Sequence, residues 1–138
     1  MQVKQIMTRG CECIAPDSTL QEAAERMKAL DVGPLPVCAN DRLAGIVTDR
    51  DLVLRGIAEG RDPKATRVRD VMTPNVAYCF EDQDVDEAAQ LMKDKQIRRL
   101  AVLNRAKRLV GIVSLGDLAV DAGDEQLVGE TLERISAP

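Results

Sequence analysis

The sequence repeats itself, and the repeat limits what the chain can fold into. Ile6-Met7-Thr8 recurs as Val71-Met72-Thr73, 65 positions on (72 − 7). Leu20, Glu22, Ala23, Ala24, Met27 and Lys28 recur at the same offset as Val85, Glu87, Ala88, Ala89, Met92 and Lys93. Leu35-Pro36-Val37 returns as Leu100-Ala101-Val102. One inserted residue then moves the offset to 66 (111 − 45), at which Arg42-Leu43-Ala44-Gly45-Ile46-Val47-Thr48 returns as Arg108-Leu109-Val110-Gly111-Ile112-Val113-Ser114. Asp51-Leu52 follows suit as Asp117-Leu118. Register held from residue 6 to residue 52 marks one supersecondary unit used twice.

Each copy reads alike. Thr19-x-x-Glu22 has the spacing of a capping box, and Leu20, Ala23, Ala24, Met27 and Leu30 follow on one helical face. Asp84 and Glu87 open the matching helix, with Val85, Ala88, Ala89 and Met92. A short apolar strand comes next (Leu35 to Cys38, Leu100 to Leu103), then a polar turn, then a second strand (Leu43 to Val47, Leu109 to Val113). A second helix starts after Thr48 and after Ser114, and Ala65 to Asp70 reads as a linker. The expected fold is therefore α/β (α+β): two β-α-β-β-α repeats, 1–62 and 63–122, packed sheet to sheet about a pseudo-twofold axis. About sixty residues bury too little surface to be comfortable alone, which favours such pairing. The axis would create a cleft lined twice by equivalent residues. In the tail, 123–138, Leu127, Val128, Leu132 and Ile135 have the spacing of a short helix.

Composition removes several functions. The 138 residues hold 45% hydrophobic side chains but one Tyr, one Phe and no Trp, so aromatic stacking of single-stranded nucleic acid is disfavoured. The net charge of −4 disfavours general phosphate-backbone and anionic-membrane binding. With no His, Ser–His–Asp and Cys–His catalysis and histidine zinc sites are excluded. No apolar stretch is long enough for a membrane span, and Met1 to Gln5 lacks the apolar core of a signal peptide, so the chain is expected in the cytoplasm. Cys11, Cys13, Cys38 and Cys79 read as small hydrophobes, with Cys11-x-Cys13 the start of a metal or redox site as the alternative. No nucleophile–base pairing or metal signature points to an enzyme.

The most specific local signal is Gly-Ile-Val-[Thr/Ser]-x-x-Asp, at Gly45 to Asp51 and at Gly111 to Asp117. A strand ends in a hydroxyl residue, and an acid follows at the start of a helix. One reading is structural: Thr48 and Ser114 cap helices, and the acid suits the dipole. The other is chemical: a carboxylate accepts hydrogen bonds from a ribose diol, and helix-start N–H groups face a phosphate.

These residues resemble a tandem pair of cystathionine-β-synthase (CBS) domains, a Bateman module. The resemblance is carried by Ile6-Met7-Thr8, Val71-Met72-Thr73-Pro74, Val32 to Val37, Ile97 to Val102 and the two Gly-Ile-Val segments, over about residues 3–122. It implies a stand-alone, regulatory, energy-sensing module with up to two adenosyl sites. One would use Ser114 and Asp117 with Thr8, Cys11, Val32 and Gly33. The other would use Thr48 and Asp51 with Thr73, Ala77, Ile97 and Arg98. Arg99 matches a position that reaches ligand phosphate in the family. Ala101 departs from the usual Pro, Pro34 stands where a small residue is common, and Glu12 is the counterpart of Ala77, so the two walls differ. The implied ligands are AMP, ADP or ATP, with NAD and S-adenosylmethionine also possible, and no cofactor is obligatory. The alternative is a non-catalytic interaction scaffold with unoccupied sites. The implied partners are a separate effector protein and a second copy, with Met27, Met92, Leu52 and Val53 expected as the partly exposed apolar surface of a homodimer.

Overall fold

A computed structural model describes residues 1–10, 12–122 and 125–137. The chain folds as a mixed α+β protein with two sheets and divides into two units. Glu12–Val76 forms a continuous unit, and Met1–Cys11 with Ala77–Pro138 forms a split unit.

In the continuous unit, helix α1 (Leu20–Leu30) starts at Thr19, whose hydroxyl accepts the Glu22 N–H at 3.2 Å. It ends where Asp31 turns left-handed at φ 54°. Strands β2 (Pro34–Ala39) and β3 (Arg42–Thr48) form a hairpin whose two turn residues, Asn40 and Asp41, both have positive φ. Asn and Asp tolerate that region, and it suits the twist of a tight hairpin. A short strand β4 (Thr73–Pro74) lies antiparallel to β3, with Ile46 opposite Thr73. Ile14 bridges Val37 in parallel on the other side. Helix α2 begins as Asp49–Asp51 and widens to a π-turn over Leu52–Gly56. The core is Ile14, Leu20, Ala23, Met27, Leu35, Val37, Val47, Leu52, Val68 and Val71.

The split unit repeats the plan. Its sheet runs β1 (Thr8–Arg9), β7 (Leu109–Ser114), β6 (Arg99–Leu103), β5 (Tyr78–Phe80). Helix α3 (Val85–Lys95) is capped by Asp84 through the Asp86 N–H, one residue earlier than the Asp84–Glu87 spacing suggests. Helix α4 starts as Leu115–Asp117 and again becomes a π-turn, Leu118–Ala122. The tail helix α5 (Glu125–Ser136) packs on α3, with Leu127 and Ile135 against the core and Thr131 fully buried. The Gln96 amide donates to the carbonyls of Arg134 and Ala137.

Register is conserved between the units. Ile14↔Val37 matches Cys79↔Val102, and both hairpins carry a bulge at the same step, Val37/Cys38 and Val102/Leu103. The short leading strand of each repeat, however, joins the hairpin of the other repeat: Thr8 faces Ile112 and Thr73 faces Ile46.

Two expectations are corrected. Ala65 to Asp70 is not a free linker. Val68 is fully buried, its N–H donates to the Ser18 carbonyl at 2.8 Å, and the Thr66 carbonyl accepts from Leu20. Met27, Met92 and Leu52 are core residues, at 6%, 0% and 8% exposure. The methionines lie on the helical faces of Leu20–Ala23 and Val85–Ala88–Ala89, so they point where those residues point. Of the four, only Val53 is exposed.

Candidate functional site

Each strand-to-helix motif is built the same way. β3 ends at Thr48, whose hydroxyl accepts the Asp51 N–H at 3.1 Å while Asp51 Oδ2 accepts the Thr48 N–H at 2.9 Å. β7 ends at Ser114, whose hydroxyl accepts the Asp117 N–H at 3.1 Å while Asp117 Oδ2 accepts the Ser114 N–H at 2.8 Å. These are reciprocal capping boxes, so the structural reading of the motif holds. A carboxylate has a second oxygen, and here the units differ. Asp51 Oδ1 lies 3.8 Å from Arg55 Nε, and Arg55 also donates to the Val71 carbonyl. Asp117 Oδ1 has no polar partner among the described residues.

Glycine explains why the motif starts as it does. A Cβ on Gly45 would stand 2.5 Å from the Thr73 carbonyl oxygen, and one on Gly111 would stand 2.7 Å from that of Thr8. The sulfurs of Met72 and Met7 close the same spaces at 3.1 and 2.8 Å. Only glycine lets the leading strand approach, and that approach sets Thr73 one register step from Gly45 and Thr8 one from Gly111.

Within the continuous unit the structure thus brings Thr48, Asp51 and Thr73 to one end of β3, with Gly33 joined to them because its carbonyl accepts the Asp49 N–H at 3.0 Å. Val32 precedes it and is 40% exposed. Within the split unit, Ser114, Asp117 and Thr8 gather at β7, and the Arg98 carbonyl accepts the Leu115 N–H at 2.9 Å. Arg99 faces Ser114 across the hairpin. Arg98 and Arg99 are exposed, while Ile97 and Ala77 are half-buried against the core. Val32 and Gly33 therefore belong to the unit of Asp51, and Ile97 and Arg98 to the unit of Asp117. Cys11 lies outside the described residues.

Two site-flanking side chains were not singled out from the sequence. Arg55 stands four residues after Asp51, an ion-pair spacing on a helix that the sequence displays. The Asp49 carboxylate folds over Gly33, its oxygens 3.2 and 3.3 Å from where a Cβ would sit, and no sequence pattern announces that. An open groove of about 390 Å³ in the continuous unit, lined by Ile14, Ser18, Glu22, Glu25, Arg26 and Ala29, contains none of the expected site residues.

Cys38 and Cys79 are buried and Cys13 is half-buried, and burial pushes the Cys79 thiol up to about 12. Among the described residues no three His, Cys, Asp or Glu side chains gather as a metal site, and no helix is long and apolar enough to cross a membrane.

Comparison with known proteins agrees with this duplicated architecture. The sequence model of the CBS domain matches residues 3–56 and again 68–120. A CBS domain-containing protein of Bacillus subtilis, YhcV, is 42% identical over 134 residues, covering 97% of this chain and 94% of its own. Hypoxic Response Protein I, solved with two coordinated zinc ions, superposes with a TM-score of 0.80 at 35% identity, covering 88% of this chain and 98% of that one. CBSX2 in complex with AMP gives 0.75 at 26% identity, covering 91% and 98%. The CBS domain pair of protein MJ0100, in complex with 5′-methylthioadenosine and S-adenosyl-L-methionine, gives 0.76 at 27% identity, covering 89% and 96%.

Proposed function

This chain belongs to the CBS domain family, and from that premise we propose that it is a regulatory module: it binds an adenosyl ligand, changes conformation and signals to a separate effector protein. The observation that carries the reading is the Asp117 carboxylate, with one oxygen holding the Ser114 N–H and the other without a partner among the described residues. Such an oxygen accepts a ribose hydroxyl without dismantling the cap. Ser114 and Thr8 stand beside it, and Arg98 and Arg99 supply cations for a phosphate. Thr48, Asp51 and Thr73, with Val32 and Gly33, form the corresponding set in the continuous unit. Two relatives in structure are solved with adenosyl ligands, which supports the ligand class. The proposed role is binding rather than catalysis, in the cytoplasm.

Calorimetry and thermal shift with AMP, ADP, ATP, NAD and S-adenosylmethionine test it. A ligand at about 100 times its Kd adds about 2.7 kcal/mol to stability. No shift with any of the five at millimolar concentration would remove the ligand-binding reading.

One observation favours a second reading, a scaffold with unoccupied sites. Both acids already serve as caps, and Asp51 has Arg55 beside it as well. Under that reading, Asp51→Asn and Asp117→Asn bind an effector as the unaltered protein does.

We also propose a homodimer. Its surface is not the methionines but Val53, Leu54 and Ile57 on and after α2, exposed at 50%, 45% and 66%. Isologous pairing would bury such a patch.

A further inference from the structure

We propose that the two motifs are tuned to ligands of different charge: the Asp117 motif takes an adenosyl ligand that carries phosphate, and the Asp51 motif takes one that carries none. The inference rests on the adenosyl-binding reading above and adds the ligand class of each motif.

Both motifs share one joint. The first helical N–H donates to the carbonyl of the residue before the hairpin, Asp49 to Gly33 at 3.0 Å and Leu115 to Arg98 at 2.9 Å. The same backbone bond thus sets opposite chemistry beside the two diol-accepting acids. In the continuous unit the Asp49 carboxylate occupies the space over Gly33 that a side chain would take. Its Oδ1 accepts the Arg50 N–H at 2.9 Å, so it is held there. A second carboxylate, Asp51, follows two residues on, with Arg55 at 3.8 Å on its Oδ1. In the split unit Leu115 replaces Asp49, Gly116 replaces Arg50 and Arg98 replaces Gly33. Arg98 and its neighbour Arg99 are exposed, and neither forms an ion pair among the described residues. Asp121 stands where Arg55 would be, so no arginine competes for Asp117 by that spacing.

A phosphate monoester near neutral pH carries between one and two negative charges. Beside Asp49 it meets a fixed carboxylate and is repelled. Beside Arg98 and Arg99 it meets two uncommitted guanidinium groups whose planar forks suit phosphate oxygens. The acid at residue 49 instead suits an adenosyl compound with a neutral thioether or a cationic sulfonium at the 5′ position. Arg55 sharpens the difference, because a diol at Asp51 must displace or share it.

Calorimetry on the full chain with two probes, AMP and 5′-methylthioadenosine, tests the assignment. They share base and ribose and differ in the phosphate. AMP is expected to saturate one site per chain. Its affinity should fall about tenfold or more in Asp117→Asn and in Arg98→Gln/Arg99→Gln, and stay within about twofold in Asp51→Asn. Asp51→Asn should instead weaken 5′-methylthioadenosine. Asp49→Leu, which gives the continuous unit the residue of the split unit, should add a second AMP equivalent. Two equal AMP sites in the unaltered chain would overturn the inference and leave the adenosyl reading standing. So would equal losses in the two Asp variants, or an arginine effect that vanishes with Asp51 rather than with Asp117. Failure of both probes to bind overturns the adenosyl reading and the inference with it.

Discussion

At the end of β3 and of β7 a hydroxyl and a carboxylate exchange hydrogen bonds with each other's backbone N–H groups. Capping and ligand holding therefore compete for one side chain unless they use different oxygens, and Asp117 has an oxygen for each. That separation makes the conservative variant informative. Asp117→Asn keeps an acceptor for the Ser114 N–H, so its melting temperature should stay within a few degrees of the original while AMP affinity falls about tenfold or more. Asp117→Ala removes the cap too and should cost about 1 kcal/mol, read from urea denaturation. Cys79 gives a pH prediction. Burial raises its thiol from 9.0 to about 12, so the folded state holds a proton that the unfolded chain releases. This contribution is fully present below pH 9 and is lost as pH rises from 9 towards 12. Thiol labelling of the folded protein at pH 8.5 should accordingly spare Cys79 and modify Cys13; rapid labelling of Cys79 without unfolding would refute its burial.

At the scale of elements, the leading strands depend on two glycines in their hairpin partners. Ala at residue 45 or 111 would place a methyl carbon 2.5 or 2.7 Å from a backbone oxygen, and backbone yields less readily than a side-chain tip. Gly45→Ala and Gly111→Ala should each destabilise by about 1–3 kcal/mol in denaturant titration, the usual cost of overpacking. A loss below about 0.5 kcal/mol would mean that β4 or β1 shifts freely. The π-turns after Asp51 and Asp117 recur at equivalent positions in both units. Such turns are frequent at functional sites, and here they follow directly on the two acids.

Across the whole molecule, chain order and packing order differ. Val3, Ile6 and Met7 sit in the core of the split unit, whose other residues begin at Ala77. Deleting residues 1–10 should therefore weaken α3, β6 and β7 by several kcal/mol and leave the β2–β3 hairpin protected. Amide hydrogen exchange reads this directly; loss of protection in β2 and β3 instead would contradict the division. Pairing of Thr8 with Ile112 also spans most of the chain, which predicts slower folding than for a helical protein of this length.

Much of this was legible in the residues. The offsets of 65 and 66 located both helices and both hairpins, because apolar periodicity and turn chemistry are local properties that each copy states independently. The motif acids and hydroxyls were legible for the same reason, since a cap and its helix are neighbours in sequence. Periodicity marks an apolar face but not what covers it, so Met27, Met92 and Leu52 were expected at a surface and lie in cores. Other features required the tertiary structure: the leading strands exchanged between hairpins and Asp49 folded over Gly33. Each depends on which distant segment fills a given space, and close packing decides that only when the whole chain is in place.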